Sequence, residues 1–189
     1  MNPLIQFVQN LKNLGNLKYA EAYFDLLQQL IQFTGLSEDD KRLSLTYQIK
    51  GTLGVNINNR RILAFRKQGK IWCMQVVIND EDIEQNRGVE GYLANLDDSF
   101  VRGNKPATLL TFSLEAKPYD NETLLQAWLK AVENDLNTST YSIYSRYNKP
   151  FIYRSATNLQ ARNQILKWVK TDLPIEEVLK TLEMQQLLA

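Results

Sequence analysis

The stretch Leu43-Ser44-Leu45-Thr46-Tyr47-Gln48-Ile49-Lys50 decides the fold, because its apolar residues recur at every second position. Leu43, Leu45, Tyr47 and Ile49 fall on one face and Ser44, Thr46, Gln48 and Lys50 on the other, the pattern of a strand buried on one side. Upstream the period is different. Tyr19, Tyr23, Leu26, Leu27, Leu30 and Phe33 recur at three and four residues, and Gly35 offers the left-handed stop of a helix. Sheet sequence therefore begins after Ser37-Glu38-Asp39-Asp40.

Working outward, Leu53 to Ile57, Ile62 to Phe65 and Ile71 to Ile78 are further apolar runs, joined at Asn58-Asn59 and Gln68-Gly69, which supply turn chemistry. The simplest topology is an antiparallel meander over 43–79, its last strand the most buried because only Gln75 interrupts it. Residues 80–106 read as an acidic loop with a short apolar piece at Tyr92-Leu93-Ala94. Thr108 to Glu115 reads as a fifth strand, with Leu110, Phe112 and Leu114 inward. Asp120 or Asn121 then caps a helix that places Leu125, Trp128, Leu129, Val132 and Leu136 on one face. A tight aromatic segment, Tyr141 to Arg154, turns at Asn148-Lys149-Pro150, and helices over 157–171 and 174–187 close the chain. Residues 3–34 read as two helices broken near Asn13-Leu14-Gly15-Asn16.

The expected fold is α+β: an antiparallel sheet of about five strands (the meander 43–79 plus a strand near 108–116) packed by helices, with an N-terminal helical hairpin. One domain over 1–189 is expected, with the hairpin at 1–36, a sheet-rich core at 41–116 and a helical part at 120–189.

Composition removes whole classes of chemistry. The 189 residues include no His and one Cys, which excludes Ser-His-Asp and Cys-His nucleophiles, imidazole catalysis and a disulfide within the chain. Cys73, between Trp72 and Met74, reads as a reduced, buried thiol. Met1-Asn2-Pro3-Leu4 lacks the start of a signal peptide, and no apolar run is long enough to span a bilayer, so a cytoplasmic protein without a membrane partner is expected. Lys50-Gly51-Thr52-Leu53-Gly54 holds a G-x-x-G between strands, a turn or bulge rather than a phosphate loop.

The net charge of +1 conceals a segregation. Residues 41–79 carry eight cations, Arg60, Arg61, Arg66 and Lys67 among them, and no acid; residues 80–98 carry seven acids against Arg87. Residues 136–171 carry six cations and no acid. Within this last block Arg146, Tyr147, Lys149, Tyr153 and Arg154 interleave charge with rings, as a surface for DNA or RNA does when bases stack on aromatics and cations follow phosphates. The same pattern also fits a hairpin with rings inward and charges in water. A non-catalytic nucleic-acid-binding domain is the first expectation, with no cofactor. Pairing of the opposite charge blocks between subunits, or with a protein partner, is an alternative expectation: an assembly module.

A second alternative rests on Glu115-Ala116-Lys117 with Asp98 upstream. This resembles the acid, spacer and E-x-K arrangement of restriction-endonuclease-like nucleases. The resemblance implies that Asp98 and Glu115 hold Mg²⁺ while Lys117 assists the attacking water, chemistry that oxygen ligands supply without His.

Overall fold

The computed structural model of the chain describes residues 3–47, 51–93, 98–102, 105–137 and 149–171. Two N-terminal helices, α1 (Pro3–Asn13) and α2 (Leu17–Thr34), are separated by a bend at Gly15. Asn16 caps α2 by accepting from Lys18 N, and Gly35 ends it at φ 65 with its N–H donated to Ile31 O. Between the caps, Ala20, Tyr23, Phe24, Leu27, Leu30 and Ile31 are buried at helical spacing.

Strands β1 (Leu43–Thr46), β2 (Thr52–Ile57), β3 (Arg60–Gln68) and β4 (Ile71–Asn79) form the expected meander. A short helix, α3 (Ile83–Arg87), precedes β5 (Asp98–Arg102) and β6 (Lys105–Ser113). All pairs are antiparallel, in the order β1-β2-β3-β4-β6-β5. The sheet thus has six strands. The additional one, β5, falls in the stretch read as a loop, since five residues with one apolar pair give no period to detect. The strand expected near 108–116 begins at Lys105 and stops at Ser113, whose Oγ accepts from Glu115 N and turns Leu114–Ala116 into a 3₁₀ helix.

Cross-strand partners share a face. The rows Leu45-Val55-Leu63-Val76-Leu110 and Leu53-Phe65-Met74-Phe112 are buried on the helix side, where Tyr23 of α2 meets Phe65 with ring centroids 5.7 Å apart. The rows Thr46-Gly54-Ala64-Gln75-Thr111 and Thr52-Arg66-Cys73-Ser113 make a second, polar face.

A bulge divides two neighbouring arginines. Val55 pairs with Leu63 but Asn56 pairs with Arg61, so Ile62 is an extra residue in β3. Arg60 therefore lies opposite buried Ile57, on the helix side, and Arg61 lies opposite Asn56 on the polar face. The carbonyl of Ile62 accepts from Trp128 Nε1–H at 2.9 Å. Trp128 belongs to α4 (Glu122–Leu136), capped by Asn121 and laid against β4 through Leu124, Trp128, Ala131 and Val132. Trp128→Phe removes the donor and part of the ring, and a loss of about 2–3 kcal/mol in urea unfolding is expected. An unchanged midpoint would deny this hydrogen bond any structural role.

Two helices follow, α5 (Lys149–Thr157) and α6 (Leu159–Lys170). The first corrects the expectation of a turn at 148–150, because residues 149–157 are helical. Pro150 sits in the first turn of α5, where its missing N–H has no helical partner to lose. Turn signals and helix starts share Asn and Pro, and the sequence alone does not separate them. Asn158 caps α6 by accepting from Gln160 N and Ala161 N. The helix expected at 174–187 and residues 138–148 lie outside the described residues. Among the described residues no helix is long and apolar enough to cross a membrane.

Candidate functional site

The central hairpin outreaches its neighbours in the sheet. On the β2 side the last backbone bond runs from Lys67 N to Gly51 O at 3.1 Å, and on the β6 side the ladder ends at Ser113 opposite Cys73, so Gln68 to Trp72 project past their neighbours. Gly69, at φ 56, takes the first central position of a two-residue turn, where type II′ geometry requires glycine. The register then fixes what the tip displays. Lys67 and Trp72 are cross-strand partners on one face, Gln68 and Ile71 on the other, and Lys70 lies in the turn. Ile71 is 45% exposed, Trp72 is half-buried, and Lys67 and Lys70 are exposed.

Lys67 Nζ lies 5.9 Å from the Trp72 ring centroid, a cation over an aromatic face. Gly51, at φ 74, stands beside this pair: a Cβ there would lie 3.7 Å from Trp72 Cη2 and 3.8 Å from Lys67 Cβ. Gly51 thus packs against the Cη2 edge of the indole. On the polar face Arg66 Nη1 donates to Gln75 Oε1 at 3.4 Å, and Gln75 Nε2 donates to Thr111 Oγ1 at 3.0 Å, a chain that lays the guanidinium across the strands. Burial pushes the neighbouring Cys73 thiol up from its ordinary pKa, and the Arg66 charge opposes that rise.

The residues singled out in the sequence separate into groups. Arg66 and Lys67 stand at the hairpin tip. Arg61 lies on the polar face, its Nε 3.9 Å from where a Cβ on Gly54 would be. Arg60 instead pairs with the fully buried carboxylate of Asp135 at 3.2 Å, at the end of α4. Tyr153 O–H donates to Leu36 O at 2.9 Å, and Arg154 forks onto Glu38 through Nε and Nη2, both at 3.0 Å. These bonds tie α5 to the loop after α2, and the hydrogen-bonded Glu38 holds the Arg154 guanidinium above its usual pKa. Lys149 is the first residue of α5. Arg146 and Tyr147 lie outside the described residues.

The positions of the nuclease alternative fall on separate elements. Asp98 opens β5 opposite Leu109, whereas Glu115 and Lys117 are exposed in the turn after β6. From Leu109, opposite Asp98, to Ser113 the β6 backbone covers about 13 Å. Among the described residues no group of three His, Cys, Asp or Glu is placed to hold a metal ion. The acidic block has partners within the chain: Lys130 of α4 reaches Glu81 at 2.9 Å and Asp82 at 3.0 Å, and Arg87 meets Glu84 at 3.5 Å. A groove of about 300 Å³ between α2 and Tyr119-Asp120 contains none of the singled-out residues.

The chain matches no family model, no curated protein and no solved structure. Sequence reasoning overlooked Trp72 and Lys70 as surface residues. The signal was present, because a two-residue turn after Gln68 dictates that Trp72 faces Lys67.

Proposed function

We propose that the chain is a non-catalytic nucleic-acid-binding domain that meets DNA or RNA with the tip of the β3–β4 hairpin. One contrast supports this reading. Arg42, Arg60, Arg87, Lys130, Arg154 and Arg162 each pair with a carboxylate of the same chain. Arg66, Lys67 and Lys70 have no carboxylate partner among the described residues, and residues 51–79 contain no acid at all. Three cations kept together repel one another, and phosphates relieve that repulsion while releasing counterions.

The reading predicts binding whose logarithm falls linearly with the logarithm of salt, with a slope of about −2 to −3 for three phosphate contacts. Fluorescence anisotropy of a labelled oligonucleotide, titrated from about 50 to 300 mM NaCl, measures it. Lys67→Ala and Lys70→Ala should each reduce the slope by a little under one. Affinity that ignores salt, or no binding at the lowest salt, removes the proposal.

A further inference from the structure

We infer that the ligand is single-stranded and that Trp72 is the side chain on which one of its bases stacks, an inference that rests on the nucleic-acid reading above. The geometry of the tip separates single strands from duplex. Lys67 to Gln68 is one residue step past Gly51 and Cys73 to Ile71 two past Ser113, so the hairpin projects only about 3 to 7 Å beyond its neighbours. The major groove is about 8.5 Å deep and 12 Å wide. With β2 and β6 flanking at about 4.8 Å spacing, four strands present a front of roughly 14 Å between outer axes before side chains are added. That front is too broad to follow the tip into the groove, and the tip alone is too short to reach base edges.

A single strand removes both obstacles, since its bases turn their faces outward. The indole is suited to receive one. Trp72 is half-buried at the projecting tip with Gly51 supporting its Cη2 edge, and Lys67 Nζ, 5.9 Å from the ring centroid, is placed for the phosphate next to a stacked base. Trp128 is 0% and Trp168 5% exposed, so neither competes for a base.

That burial also makes the test specific, because a ligand that quenches tryptophan emission by contact must do so at Trp72. A short oligothymidylate, the corresponding oligouridylate and a duplex of the same length are titrated into the full chain, following intrinsic fluorescence and the anisotropy of a label. Quenching by the single strands, weaker binding of the duplex, and a roughly 5- to 150-fold loss of single-strand affinity in Trp72→Ala are expected. Trp72→Phe should retain most of the affinity, and far-UV circular dichroism checks that both variants fold. If the single strands bind without quenching, if the duplex binds as tightly, or if folded Trp72→Ala binds unchanged, the stacking inference is overturned while the nucleic-acid reading stands. If no oligonucleotide binds at low salt, both fall.

Discussion

Arg60→Ala will cost more stability than Asp135→Ala, although the two residues share one ion pair. The asymmetry follows from burial. The Asp135 side chain is fully enclosed, whereas the Arg60 side chain keeps 28% of its surface. Removing Arg60 leaves a carboxylate in the interior without its cation, and a loss of about 3–4 kcal/mol is expected, a drop in Tm of roughly 6–16 °C for a chain of this size. Removing Asp135 leaves a guanidinium that can turn towards water, and about 1–2 kcal/mol is expected. The double change Arg60→Met with Asp135→Leu should recover most of the larger loss, because two apolar groups replace two desolvated charges. Equal losses, or a greater one for Asp135→Ala, would contradict this account. Arg60→Ala should also leave the salt slope of oligonucleotide binding unchanged, since that guanidinium is already engaged.

Elements whose cause is local were legible in the sequence. The alternation from Leu43, the Asn58-Asn59 turn with φ of 50 and 66, and the caps Gly35 and Asn121 are short-range effects, and each sits where the sequence placed it. What escaped depends on distant partners. β5 is a strand because β6 pairs with it, and the bulge at Ile62 is defined only by β2 opposite. α5 begins on residues that elsewhere make turns, and its position depends on ties to Leu36 and Glu38, more than a hundred residues away.

Charge follows the same logic, and this is why the candidate surface shifted. Counting along the chain showed acid-free blocks but not which cations meet acids in space. Asp135 lies 75 residues from Arg60 and Glu38 lies 116 from Arg154, so both arginines stood in acid-free blocks while being paired in the fold. Arg66, Lys67 and Lys70 are not among the paired cations, and the turn at Gly69 sets Lys67 across from Trp72 while Arg66 lies on the opposite face with Gln75. The basic character of the segment was legible in the sequence; its concentration at one hairpin tip required the register.

Gly91→Ala should be the second severe substitution, costing about 2–4 kcal/mol through two separable effects. Gly91 has φ 82, where a side chain strains the backbone, and a Cβ there would lie 2.4 Å from Ala116 Cβ, far inside contact distance. Neither neighbour moves freely. Gly91 O accepts from Ser113 N at 2.9 Å and Leu93 N donates to Thr111 O at 2.9 Å, so residues 91–93 extend the edge of β6 beyond β5. On the other side, Ala116 ends a 3₁₀ turn fixed by Ser113 Oγ and by Lys117 at φ 53. Adding Ala116→Gly to Gly91→Ala removes the contact but not the backbone strain, so a recovery of roughly half is expected, with about 1–2 kcal/mol remaining. Full recovery would mean that the left-handed backbone costs nothing, and no recovery that the contact was relieved by other means. The substitution should also disturb the near-UV signal, because Tyr92 and Phe112, with ring centroids 5.8 Å apart, hang on this segment. Oligonucleotide binding by the folded fraction should not change, because residues 91–93 bond to Thr111 and Ser113 of β6 and not to Lys67, Lys70 or Trp72 of the tip.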